Sequence, residues 1–425
     1  MASEQQLTFD ARGHQLTNIN VWTADSQWLA YDVRPKGSDF SGLTIERINI
    51  ASGEVETLYR ASDGAHVGVV TVSAETPPRY VFIHGPEHPD DHWRYDFHHR
   101  RGVILAPHKS AAPVTLDAFD ITPPFTPGAL RGGSHVHVFS PDSSRLSFTY
   151  NDHLMHEWNS AEDLRNVGVA LAGHPIYISK AHPREYDGSH FCVLVSQTTA
   201  TPQAGSDEIN RAYEEGWIGR QGYLHADGRR QRWALAFIGD TLSAQGEKLP
   251  EVFVVDLPEN DQDYASAGAA PLQGSARRLP APPAGVVQRR LTYTAHRRFP
   301  GVALQPRHWL RASPDGGTIA FLMKDDNGIV QVWGISPAGG EPWPISHAAA
   351  DIQSAFSWHP QGGMLALVCD NSVMLLDVAS GEMRRLTPRS ELAPCGDAVV
   401  FSPDGCWVAF MREIAGFAQL FVTPV

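Results

Sequence analysis

The chain has 425 residues, of which 42% are hydrophobic and 19% charged, and a formal net charge of −13. The balance is globular, and the length suits several ordinary domains or one large repeat domain. The absence of any basic run or stripe excludes nucleic acid as an expected partner, and no apolar run approaches the ~18 residues of a membrane span. Thirty-seven Gly and 31 Pro fit many strands joined by tight turns better than helices. The start, MASEQQLTFD, has no basic segment followed by an apolar core, so no secretory leader is expected. Cys192, Cys369, Cys395 and Cys406 show no CxxC spacing, and Cys192 and Cys369 fall in apolar strands. A reducing, cytoplasmic compartment is expected.

In chain order, one unit recurs: an apolar strand, a Ser-Pro-Asp turn and a second apolar strand. It stands at 138–150, 311–323 and 400–412, with weaker copies at 21–33 and 357–369. Pro sets φ at the first corner, Asp caps the turn through its side chain, and Gly takes the positive φ. Each copy leads into an outer strand pair, which makes four antiparallel strands per unit and predicts an all-β, seven-bladed propeller over residues 1–425. The inner strands are expected to begin near Asn18, His66, His135, His190, His308, Ser354 and Asp397. The N-terminal QQLTF should pair with the C-terminal FAQLFVTPV and close the last blade, removing a sheet edge. The polar segment 199–231 reads as an insert, a possible lid over the channel, with DEINRAYEEGW as a short helix starting at Ser206. The Ala-, Pro- and Gly-rich stretch 258–284 reads as a loop.

The Ser-Pro-Asp-Gly turns at 313–316 and 402–405 resemble the TolB-like propeller repeat. RGGSHVHVFSP, HPREYDGSHFCVLVS, GSDEINRAYEEGW, GVVQRRLT and DDNGIVQVW together resemble the YidR family of bacterial propellers, which implies a fold and no activity.

Inner-strand starts face the central channel, and the 20 His of the chain concentrate there: His135 and His308 align with Asp397, with His66 close by. On a strand, His135 and His137 point to the same side. Both imidazoles can then meet one divalent ion, Mn or Zn, with His308 or His66 as a further ligand. HVHVFSPDSSRLSFTYND also resembles the HxHxxFxPD stretch of oligogalacturonate lyases, which are seven-bladed propellers. That resemblance implies metal ligation by His135 and His137. The family's Gln ligand is replaced by Gly132, and Gln353, beside another inner-strand start, is a candidate substitute.

HPREYDGSH brings Arg184, Tyr186 and His190 within nine residues. β-Elimination on a uronic acid needs a base, a cation for the carboxylate and an acid for the leaving oxygen. His190 fits the base, Arg184 the cation, and Tyr186 the acid or base. Arg297, Arg298 and Arg307 form a local positive cluster suited to a carboxylate or sulfate. His98 and His99 sit by an outer strand and read as structural or solvated. There is no GxxxxGK[ST] loop, GxSxG elbow or GxGxxG turn. The expected function is a metal-assisted, lyase-like enzyme acting on a uronate-containing oligosaccharide. The alternative is a non-catalytic scaffold that binds a protein or peptide.

Overall fold

The Ser-Pro-Asp turns form as their chemistry dictates. Ser140 Oγ donates to Asp142 Oδ1 at 2.8 Å, and the backbone N–H groups of Ser144, Gly317 and Cys406 bond to Asp142, Asp315 and Asp404. Gly316 and Gly405 take positive φ (78° and 75°), while in the copies at 138–150 and 21–33 the same place is held by Ser143 and Ser26. The computed structural model describes residues 4–106 and 112–425.

The described residues form seven four-stranded antiparallel sheets. Their innermost strands are His14–Gln15, Val67–Val72, Gly132–Phe139, Ala212–Trp217, Arg311–Ala312, Ser357–Trp358 and Pro394–Phe401. The chain is thus a seven-bladed β-propeller, as the repeat predicts. The apolar core is divided into seven clusters, one for each seam between neighbouring blades. Strands buried on both faces explain the nearly continuous apolar runs of the repeat.

The fourth blade departs from expectation. His190 precedes Phe191–Leu194, the outermost strand of blade three. The predicted helix at 207–217 is instead the inner strand Ala212–Trp217, and the remainder of 199–231 includes a small hairpin, Tyr223–Leu224 with Arg230–Gln231. Glu and Ala gave the segment helix-like composition, but Tyr213 and Ala212 pack into adjoining seams, and tertiary packing overrides propensity. Among the described residues, no helix is long and apolar enough to cross a membrane.

The ring closes as expected: Gln5–Gln6 pairs with Phe417–Pro424, and Leu7 is buried in the seam between the last and first blades. Leu7 N donates to Leu420 O at 2.8 Å, Leu420 N to Thr8 Oγ1 at 2.9 Å, and Arg412 to Glu4 at 2.8 Å. Deleting residues 1–10 should lower the unfolding free energy by about 3–5 kcal/mol, from one lost buried leucine and several hydrogen bonds. Denaturant melts check this; an unchanged midpoint contradicts the closure.

Candidate functional site

The channel mouth opposite the Ser-Pro-Asp turns is shaped by one backbone device. The innermost strands of blades two, three and four each carry one extra residue relative to their partners, between Gly68 and Thr71, His135 and Val138, and Tyr213 and Gly216. The extra residue places Val69, Val136 and Glu214 at positive φ (59°, 49° and 55°). A bulge re-aims the side chains on either side of it. His135, Val136, Tyr213 and Glu214 consequently line a mouth cavity of about 300 Å³, whereas His137 and Glu215 turn into the blade seams.

The mouth is rich in arginine. Arg34, Arg100, Arg165 and Arg307 line it, with Glu214 and Asp397. Arg34 pairs with buried Asp32 at 2.7 Å, and Arg307 pairs with Glu214 at 2.9 Å while stacking on Trp309. Among the described residues, Arg100 and Arg165 have no carboxylate at ion-pair distance. Arg100 packs over Phe40 and Tyr95, bonds to His135 Nδ1 at 3.4 Å, and leaves its buried Nε without a partner. Arg165 Nε donates to Asn151 Oδ1 at 3.0 Å. Burial, then the neighbouring cation Arg211, lowers the Arg165 guanidinium to about 10 against the opposing charge of Glu214, with Arg100 and Arg307 adding to the decrease. Two half-buried like charges whose nearest acidic groups, Asp96 and Glu214, stand beyond ion-pair distance are favourable places for an anion.

The metal ligands expected from the sequence do not come together. Because of the bulge, His135 and His137 diverge: His135 Nε2 meets Asn151 Oδ1 at 3.3 Å, and His137 Nε2 meets Ser134 Oγ at 2.8 Å. His137 packs so close to Gly102 that a Cβ there would stand 2.8 Å from its Nε2. Both nitrogens of buried His308 are engaged, Nδ1 with Pro306 O at 3.1 Å and Nε2 with Leu322 N at 3.1 Å. His66 sits edge-on to Tyr95, and Gln353 bonds to Asn371 on the sixth blade.

A different histidine cluster forms beside the mouth. The absence of a side chain at Gly133, where a Cβ would meet Phe97 O at 1.9 Å, lets the turn Phe97–His99 lie on the inner strand of blade three. His98 and His99 there meet His153 and His156 from the short helix His153–Trp158, which is capped by Asp152. His98, His99 and His153 form one group able to ligate an ion; His98, His156 and Asp163 form another. Burial, with the neighbouring imidazoles, lowers His98 and His153 to about 3, so both are neutral donors. Asn151 links cluster and mouth: its Nδ2 donates to Asp163 at 3.1 Å, and its Oδ1 meets His135 and Arg165. The sequence signal for this cluster was the pair His153 and His156, three residues apart and so adjacent on a helix.

Of the elimination residues, Arg184 and Tyr186 line a cavity of about 210 Å³ with Trp93, His99, Arg101 and Phe119. This cavity shares no lining residue with the mouth. Arg184 is held by Asp90 at 2.9 Å, and burial, then Asp117, keeps the Tyr186 phenol protonated. His190 is apart from both, buried beside Ser189 Oγ at 2.8 Å with Nε2 unpartnered. The arginine cluster also separates. Arg297 stacks on Trp333 and Arg298 on Phe299, while only Arg307 reaches the mouth.

Seven sheets closed by the N-terminal strand, with polar side chains gathered at one end of the channel, define the class as a seven-bladed β-propeller with an arginine-lined mouth. The chain belongs to the YidR family: it is 60% identical over 419 residues to "Uncharacterized protein YidR" of Escherichia coli (strain K12), covering 99% of this chain and 96% of that protein. Residues 66–186 match a family described as a protein of unknown function, DUF3748. Among solved structures, an oligogalacturonate lyase in complex with manganese aligns with TM-score 0.57 at 10% identity, covering 100% of this chain and 93% of that one. The oligogalacturonate lyase of Vibrio parahaemolyticus aligns with TM-score 0.58 at 9% identity, covering 100% and 94%. A puromycin hydrolase aligns with TM-score 0.57 at 13% identity, covering 98% of this chain and 52% of its own. At these identities the likeness is one of fold.

The bulge also buries Glu215. Its Oε1 accepts from Ser147 Oγ at 3.2 Å, its Oε2 is unpartnered, and burial raises its carboxyl from 4.5 to about 7. The folded state therefore holds this proton more tightly than the unfolded state, and stability falls as pH rises from 4.5 through about 7. Glu215→Gln should match the wild type near the lower pH and exceed it by up to about 3 kcal/mol above the upper one. Denaturant midpoints across that range check the slope; parallel curves contradict it.

Proposed function

We propose that the protein is a metal-assisted, carbohydrate-active enzyme that catalyses β-elimination on uronate-containing oligosaccharides. The observation that carries this reading is the pair of half-buried arginines, Arg100 and Arg165, that face the channel mouth with no carboxylate at ion-pair distance among the described residues. A substrate carboxylate supplies the missing charge through charge-assisted hydrogen bonds. In elimination, a base removes the proton α to the carboxylate and charge grows on the carboxylate oxygens. The bond to the leaving glycosidic oxygen then breaks, that oxygen takes a proton, and a carbon–carbon double bond remains. Arg34, Arg100, Arg165 and Arg307 are placed to stabilise that charge, and Asp397, with His135 and the Arg307-paired Glu214, supplies proton acceptors in the same mouth. Arg184 and Tyr186 serve as a flanking saccharide subsite. The resemblance of fold to oligogalacturonate lyases, one of them solved with manganese, supports a divalent ion, Mn or Zn, and this substrate class. Four unpaired cysteines suit a cytoplasmic setting.

A second reading rests on the opposite end of the channel. There a cavity of about 350 Å³ is lined by Trp22, Phe139, Trp217, Trp358 and Phe401. An apolar depression of this kind suits a scaffold that binds a protein or peptide.

Uronate oligosaccharides incubated with the protein and Mn or Zn should yield an unsaturated uronate, followed by its ultraviolet absorbance. Arg165→Met should weaken binding of the same oligosaccharides at least ~30-fold, the loss of one partner of a buried charge pair, while leaving the ligand-free protein equally or more stable. Binding by calorimetry without absorbance reduces the function to recognition. Absence of binding in the folded wild type removes the reading and favours the scaffold.

A further inference from the structure

Outside the mouth, the histidine cluster is the set of chemistry-bearing groups that the elimination machinery leaves unused. His99 Nδ1 faces the carbonyl of Arg94 at 2.9 Å. A carbonyl only accepts, so Nδ1 carries the proton and Nε2 keeps its lone pair. This is the outer hydrogen bond that fixes the tautomer of a metal-binding histidine. Trp93 stacks on the same ring with centroids 3.9 Å apart and holds its orientation. Nε2 points at His153 Nδ1, 3.2 Å away. Two nitrogens each ~2.0–2.1 Å from one tetrahedral ion stand at about that separation. The buried Nδ1 of His98 has no hydrogen-bond partner, and one nitrogen from each of His98, His99 and His153 falls within a 4.8 Å group. Three imidazoles from two chain segments, one with its tautomer set and one with an unpartnered nitrogen, match the donor set of an open zinc site.

We propose that His98, His99 and His153 bind a zinc-type divalent ion, open to an exchangeable ligand from the cavity that carries Arg184 and Tyr186. The proposal relocates the metal of the reading above and rests on that reading for the ion's role, though not for its presence. His99 lines that cavity beside Arg184 and Arg101, which are ion-paired with Asp90 and Glu87, so an exchangeable ligand reaches the ion from this side. The nitrogen-only set selects zinc over manganese, which favours carboxylate oxygens.

The full chain, stripped with a chelator, is titrated with Zn(II) and with Co(II) as a visible-absorbing probe. One ion should bind per chain with the absorption of a low-symmetry Co(II) site. His99→Gln and His153→Ala, on separate segments, should each weaken binding by at least ~100-fold, beyond the effect of losing an outer hydrogen-bond partner. Circular dichroism verifies their fold, and His137→Gln should bind as the wild type does. Full affinity in both folded cluster variants, loss of the ion in His137→Gln, or no stoichiometric binding to the wild type overturns the site. Ion binding without elimination of any uronate leaves the site standing and removes only the lyase reading.

Discussion

One extra residue in the inner strand of three successive blades governs the chemistry of this molecule. A regular strand would send His135 and His137 to the same side, and Tyr213 and Glu215 likewise. The left-handed residues Val136 and Glu214 break that alternation. His135 and Glu214 then face the channel, while His137 and Glu215 are driven into seams where each has one short-range polar partner. The bulges are themselves tied across blades: Asp32 accepts from Val69 N at 2.8 Å, and Thr71 Oγ1 donates to His137 O at 2.6 Å. The distorted backbone is thus held by neighbouring blades, which allows otherwise unfavourable φ values to persist.

The mouth that results has a local charge opposite to that of the protein. With a net charge of −13, the molecule as a whole repels anions at long range. Arg100 and Arg165 act only within the cavity, where the dielectric is low and solvent screening weak. This combination favours a small, singly charged anion over a long polyanion. Asn151 bonds on one side to mouth residues and on the other to Asp163. The histidine cluster and the mouth are therefore joined through Asn151 into one polar network.

The fold was legible because its signal is local and repeated. Ser-Pro-Asp-Gly turns report their own backbone conformation, and the closing strand repeats an outer-strand pattern. Blade four was misread because Ala212–Trp217 has no such turn and carries two consecutive glutamates; only the seam contacts of Tyr213 and the bulge explain a strand there. The site was legible in residue type but not in place. His135 and Arg307 do face the mouth, but the divergence of His137 follows from a bulge that no side-chain pattern announces. Arg100 and Arg165 come from the connections between the second and third strands of blades two and three, where arginine is usually solvated, and their partial burial depends on packing against other blades. His98 and His99 looked peripheral for the same reason. Gly133, unremarked in sequence, is what admits them to the inner strand of blade three.

The proposed carboxylate pairs with Arg100 and Arg165 at the mouth. Thermal melts of the wild-type protein in the presence of galacturonate oligosaccharides and of their methyl esters, matched in length and compared at low and high salt, test this most directly. Ligand binding to the folded state raises the melting temperature by mass action. The free acids should stabilise the protein, with an effect that shrinks as salt rises, and the neutral esters should not. Equal stabilisation by acids and esters, or none by either, would contradict the account.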